Sequence, residues 1–137
     1  MRYTLKKHQI LRSKKDIKCL FQKGSSIPEY PLKLIYLIQP LKPAETKKYD
    51  RFQVMIIVPK KYIKKAAHRN LVKRQIKEHF RLQQHQLSIP PHHLLKMAFI
   101  YLSKDKDPST LSKIPSSLQK IISKLNTRGF DPKQKSS

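Results

Sequence analysis

The stretch that decides the fold runs Phe52-Gln53-Val54-Met55-Ile56-Ile57-Val58-Pro59 and continues Lys60-Lys61-Tyr62-Ile63-Lys64-Lys65-Ala66-Ala67-His68-Arg69-Asn70-Leu71-Val72-Lys73-Arg74-Gln75-Ile76-Lys77-Glu78-His79-Phe80-Arg81. Its first part, Phe52 to Val58, is short, apolar and rich in branched side chains, which reads as a strand closed by Pro59. Its second part is helical from Ala66 to about Gln84. At about 100° per residue, Val72, Ile76 and Phe80 form one apolar stripe. That stripe needs a sheet to dock on, and two further apolar runs, Leu32 to Gln39 and Met97 to Leu102, supply strands for it.

Outward from this centre, Ser13 to Gly24 reads as a helix that opens with a capping-box pattern, Ser13 to Asp16, and carries Ile17, Leu20 and Phe21 at helical spacing. A second helix pattern, Leu118, Ile121, Ile122 and Leu125, precedes Gly129. The chain has only two glycines, Gly24 and Gly129, and both read as left-handed stops at helix ends, which excludes a glycine-rich phosphate loop. Pro40 to Asp50 reads as an exposed loop, Pro90-Pro91 as the lead into the last strand, and Asp131 to Ser137 as a polar tail. There is no internal repeat. The expected fold class is α/β, an α+β sandwich: a small mixed sheet with elements in the order α-β-β-β-α-β-α, one strand more than the three apolar runs.

At 137 residues the chain fits one domain. Expected boundaries are a domain over 1–125, whose residues 1–10 form a basic N-terminal segment, and a polar tail over 126–137. Lysine and arginine number 31 against 8 acids, and the formal charge of +23 exceeds what solubility asks for. A polyanion is the expected partner. The apolar content of 38% is enough for a fold, so nucleic acid is favoured over an acidic membrane or protein. Met1 to His8 lacks the apolar core of a secretory signal and no run approaches a membrane span, so the expected compartment is the cytoplasm, with no membrane partner. Cys19, beside Leu20 and Phe21, reads as a small core residue and not as a reactive thiol.

From Lys60 to Arg81 the cations are Lys60, Lys61, Lys64, Lys65, Arg69, Lys73, Arg74, Lys77 and Arg81, against the single acid Glu78. Arg69, Lys73, Lys77 and Arg81 fall one above another on the helix, with Asn70 and Arg74 on the outer flank. Arginine can clamp a phosphate with two hydrogen bonds, lysine is a mobile point charge, and Asn70 both donates and accepts. This mixture suits the backbone of a shaped RNA better than a base code. A solvated helix face would interleave acids for i,i+4 pairs, whereas this face repels itself at nearly every such step. Leu71 and Leu82 fall outside both arcs and are expected to make a second contact with the domain.

A protein-only nuclease is not indicated. The eight acids, Asp16, Glu29, Glu45, Asp50, Glu78, Asp105, Asp107 and Asp131, are scattered and offer no cluster for Mg²⁺. His92 and His93 are adjacent, so their side chains diverge on extended backbone, and His68, His79 and His85 lie on or near the basic helix as surface or RNA-contacting groups. One cysteine and no spaced ligand pairs leave no zinc site. The expected sets are therefore no catalytic residue and no metal ligand.

The block Val58 to Glu78, with its lysine pair after a strand and its Arg69-Asn70, Lys73-Arg74 core on one helix, resembles the signature of the bacterial ribonuclease P protein subunit, and Leu20-Phe21-Gln22-Lys23-Gly24 is similar to that family's helix-ending pattern. The similarity covers roughly Leu11 to Leu125. It implies a protein that assists a catalytic RNA in removing the 5′ leader of precursor tRNA, with the RNA performing the chemistry. It also implies a left-handed crossover from strand through the basic helix to the next parallel strand, where general rules favour the right hand. By position, Lys60, Lys61, Arg69, Asn70, Lys73, Arg74 and Lys77 would contact the RNA subunit, and Lys64, Lys65 and Arg81 extend the same basic surface. A cleft between the first helix and the sheet would guide the leader, lined by Phe21, with Ile17 where an aromatic is common and Tyr36 as the strand aromatic. Leu71 replaces a frequent third arginine, and Lys77 a common arginine. The implied partners are the ribonuclease P RNA and precursor tRNA, with no obligate protein partner and with Mg²⁺ entering through the RNA subunit. The alternative is a ribosomal or general RNA-binding protein without a role in cleavage.

Overall fold

The structure, a computed structural model, describes residues 9–41, 52–89, 92–103 and 111–128. In chain order its elements are α1 (Lys14–Lys23), β1 (Ser25–Glu29), β2 (Leu32–Pro40), β3 (Phe52–Ile57), α2 (Ala66–Gln83, followed by a 3-10 turn, Gln84–Gln86), β4 (His93–Tyr101) and α3 (Ile114–Arg128). This is the expected order. The loop over 42–51, Pro90-Pro91, Gly129, the end of the polar tail and most of the basic N-terminal segment lie outside the described residues.

The four strands form one mixed sheet in the order β1-β2-β4-β3, with β1 and β4 antiparallel to β2 and with β3 parallel to β4. A parallel pair needs a long crossover, and α2 is that crossover. The strand missing from the apolar runs is β1, whose sequence Ser-Ser-Ile-Pro-Glu has no such pattern. Pro28 gives no ladder donor and is tolerated because β1 is an edge. β4 begins at His93, four residues before the expected Met97. Lys96 hid that extension, since a charge inside an apolar run reads as its end. In the fold its ammonium is buried and meets Asp16 of α1 at 3.2 Å.

The sheet separates two cores of unequal size. Strand alternation sends Leu32, Leu34, Tyr36 and Ile38 of β2, with Leu95, Met97, Phe99 and Tyr101 of β4, against Val72, Ile76 and Phe80 of α2 and Ile114, Leu118, Ile121, Ile122 and Leu125 of α3. Phe80 meets Phe52 edge-on, with ring centroids 5.4 Å apart, and Phe99 at 5.3 Å. The opposite face holds only Leu11, Leu20, Leu37 and Ala98, with Ile17, Cys19, Ile35, Met55 and Ile57 partly buried around them. Each fully buried large apolar side chain contributes about 1.5–3 kcal/mol, so the α2–α3 side holds the fold and α1 is a lighter attachment.

Two local expectations change. Ser13 does cap α1, its Oγ accepting from the Asp16 amide at 3.3 Å, but Gly24 is not left-handed: its backbone is extended, at φ −73 and ψ 156. Glycine is needed there for room. A Cβ at that position would stand 2.4 Å from the Leu20 carbonyl oxygen and 2.9 Å from both that of Tyr36 and Ile35 Cγ2. At the other end α3 runs to Arg128 where a tail from residue 126 was expected. Asn126 is held in place by donating to the Gln86 carbonyl at 2.8 Å and accepting from the Ser88 amide at 3.0 Å.

Candidate nucleic-acid interface

The phase of α2 is set by Val72, Ile76 and Phe80, which have no exposed surface. With that stripe docked, the same 3.6-residue turn leaves Asn70, Lys73, Arg74 and Lys77 exposed on one outer face. The helix has no acid in its first turn, and Lys65 occupies the cap without a side-chain hydrogen bond. The positive pole of that end therefore adds to the lysine charges beside it.

The loop from Pro59 to Lys65 continues this surface. Ile63 is buried, Tyr62 is half-buried against the larger core, and Lys60, Lys61, Lys64 and Lys65 are exposed. Lys61 Nζ lies 5.0 Å from the centroid of the Tyr62 ring. Eight of the ten predicted RNA-facing residues thus share one exposed basic surface.

The remaining two differ. Arg69 is half-buried and its Nη1 donates to the carbonyls of Ile63 at 3.0 Å and Lys64 at 2.6 Å. Arg81 is largely covered, its side chain 17% exposed, and pairs with Glu78 one turn earlier. An acid three residues before the last cation of a row was the signal for that pairing. Leu71 and Leu82, expected to make a second contact with the domain, are exposed, at 39% and 49%, and belong to neither core among the described residues. Leu71 lies beside Asn70 at the edge of the basic face.

The residues expected to line a leader cleft are divided by the sheet. Ile17 packs against the smaller core on the α1 side, and Phe21 is 42% exposed on the same helix, with Lys14 and Lys18 exposed nearby. Tyr36 lies in the larger core under α2 and α3, only 5% exposed, on the opposite face. The strand residue on the α1 face is its neighbour Ile35. A shift of one residue exchanges the faces of a strand, and with Leu34 to Ile38 apolar throughout only Lys33, on the face of Ile35 and Leu37, marks the alternation. Lys96 and its partner Asp16, which sequence reasoning missed, also belong to the α1 side.

Among the described residues, the acids Asp16, Glu29 and Glu78 pair with Lys96, Lys124 and Arg81, and no group of three potential metal ligands occurs. His92, exposed, takes a left-handed backbone, φ 61, at the entry to β4. No helix among the described residues is long and apolar enough to cross a membrane.

Comparison with known proteins gives a consistent picture. No curated protein matches the chain. Among solved structures, the ribonuclease P protein of Staphylococcus aureus superposes with a TM-score of 0.62 at 23% identity, over 86% of this chain and 94% of that one. The ribonuclease P protein of Thermotoga maritima does so with a TM-score of 0.66 at 19% identity, over 84% and 96%. These likenesses establish a shared fold, in which a mixed four-stranded sheet carries three helices. The family model described as Ribonuclease P matches residues 5–126, which takes in every described element except the last two residues of α3. With a basic crossover helix on that fold and a family match over nearly the whole chain, the protein belongs to the ribonuclease P protein family.

Proposed function

We propose that this chain is the protein subunit of ribonuclease P, binding the catalytic RNA through the basic face of α2 and its preceding loop, and assisting removal of the 5′ leader from precursor tRNA. The observation that carries this reading is the exposed surface of Lys60, Lys61, Lys64, Lys65, Asn70, Lys73, Arg74 and Lys77 on a helix locked in phase by its buried stripe. A rigid row of cations about 6 Å apart along a helix can neutralise successive phosphates of a folded RNA. The protein supplies position and charge. The hydrolytic chemistry and its Mg²⁺ belong to the RNA subunit, since the chain's described acids are committed to ion pairs.

The leader runs along the α1 side of the sheet, past Phe21, Ile17 and Ile35, with Lys14 and Lys18 attracting its phosphates. An open apolar floor of partly buried Ile35, Met55 and Ile57 supports that path. The protein acts in the cytoplasm, where precursor tRNA is made.

Binding to ribonuclease P RNA across a salt series tests the reading. The logarithm of affinity should fall linearly with that of salt, and Lys73→Ala with Arg74→Ala should flatten the slope by about 1–2, as expected for two lost phosphate contacts. An unchanged slope in a folded double variant contradicts it.

A further inference from the structure

We infer that Arg69 is a positioning residue, whose guanidinium holds the lysine loop 60–65 in the shape that presents Lys64 and Lys65 to RNA. This rests on the RNA-binding reading above and adds how the loop half of that surface is organised. Between β3 and α2 the chain leaves the sheet at Pro59 and has no ladder to satisfy its backbone. At its start, the amides of Tyr62 and Ile63 donate to the Pro59 carbonyl at 3.1 and 3.2 Å. At its end, the Lys65 carbonyl accepts from the amides of His68 and Arg69 at 3.1 and 3.0 Å.

The carbonyls of Ile63 and Lys64 lie between these two turns, and Arg69 Nη1 takes both, at 3.0 and 2.6 Å. One nitrogen bonded to two successive carbonyls fixes the two peptide planes that flank exposed Lys64, the first of which joins it to buried Ile63. It does so where the loop turns from the core to solvent. Four exposed lysines in six residues repel one another, and a charge-assisted clamp is the kind of contact that opposes their splaying. Arg69 is half-buried in this role, whereas Lys73, Arg74 and Lys77 are exposed. Its effect on RNA binding therefore passes through the loop.

Two measurements on the full chain test this. In the free protein, Arg69→Ala should speed amide hydrogen exchange at Tyr62 and Ile63, whose amides are bonded to the Pro59 carbonyl, at least tenfold while leaving the α2 amides of Val72 and Ile76 unchanged, since the clamp opens without the core. With ribonuclease P RNA, Lys64→Ala plus Lys65→Ala should weaken binding about tenfold in the native background but less than about threefold alongside Arg69→Ala, whereas Arg74→Ala costs the same in both. Arg69→Lys keeps the charge on a shorter stem without the fork, so it should also speed loop exchange and weaken binding. It serves as the second variant if Arg69→Ala fails to fold. Native loop exchange in the variants, or full tenfold losses in both backgrounds, overturns the positioning role and leaves the basic face standing. No loss from the Lys64 and Lys65 pair or from Arg74→Ala overturns the RNA-binding reading itself, and this role with it.

Discussion

Phe21 is a large aromatic left 42% exposed at the end of α1, in a chain that buries Phe52, Phe80 and Phe99. Keeping an aromatic ring in water costs burial energy that the fold does not recover, so the ring is available to a ligand. On the α1 face its neighbours Ile17 and Ile35 are aliphatic, which leaves Phe21 as the stacking surface among the leader-lining residues. Base stacking on such a ring is worth about 1–3 kcal/mol in single-strand binders. Phe21→Leu should therefore weaken holoenzyme binding of precursor tRNA about five- to 150-fold by that range, while binding of mature tRNA stays near native. Equal losses for both ligands would place the leader elsewhere. The charge row and the exposed Phe21 were legible in the sequence because helical spacing fixes which side chains share a face. Tyr36 was marked only by Lys33, which alternation puts on the face of Ile35 and Leu37, because Leu34 to Ile38 is apolar throughout. Arg69 was read as one more cation in the row, since a hydrogen bond from a side chain back to the preceding loop leaves no periodic trace.

At the scale of elements, α1 contributes a single fully buried side chain, Leu20, and is tied to β4 by the pair between Asp16 and buried Lys96. Lys96 cannot lose its partner without leaving a charge in an apolar layer, whereas the Asp16 side chain, 39% exposed, stays solvated when the lysine is removed. Asp16→Asn should therefore destabilise the protein by about 1–3 kcal/mol, and Lys96→Met should be neutral or stabilising, both read from denaturant midpoints. A larger loss from Lys96→Met than from Asp16→Asn would show that the lysine does more than answer Asp16. The same pair explains a boundary error, since an ionisable residue in the middle of a central strand reads as the strand's end until its partner on another element is known. α1 and α2, whose stripes are amphipathic, and the cores of β2 and β3 were legible. β1 was not, because an edge strand with one buried residue, Ile27, carries almost no hydrophobic signal.

Across the whole molecule, the sheet works as a partition. One face is filled by α2 and α3 and holds the stability; its outer surface, the exposed side of α2, carries the cations. The other face is, among the described residues, only partly covered by α1, with Ile35, Met55 and Ile57 partly buried. An RNA held by the first and a single strand laid along the second would be kept in fixed relation by a four-stranded sheet. A net charge of +23 would draw both to the protein and screen their mutual repulsion. Divalent cations perform that screening when RNA acts alone, so the protein's contribution should be greatest where Mg²⁺ is scarce. The most direct test is reconstitution of the full chain with a bacterial ribonuclease P RNA at low Mg²⁺, following cleavage of precursor tRNA at the 5′ mature end. The protein should raise the cleavage rate at that site and have no activity without the RNA. An unchanged rate in the presence of bound protein, or cleavage by the protein alone, would contradict it.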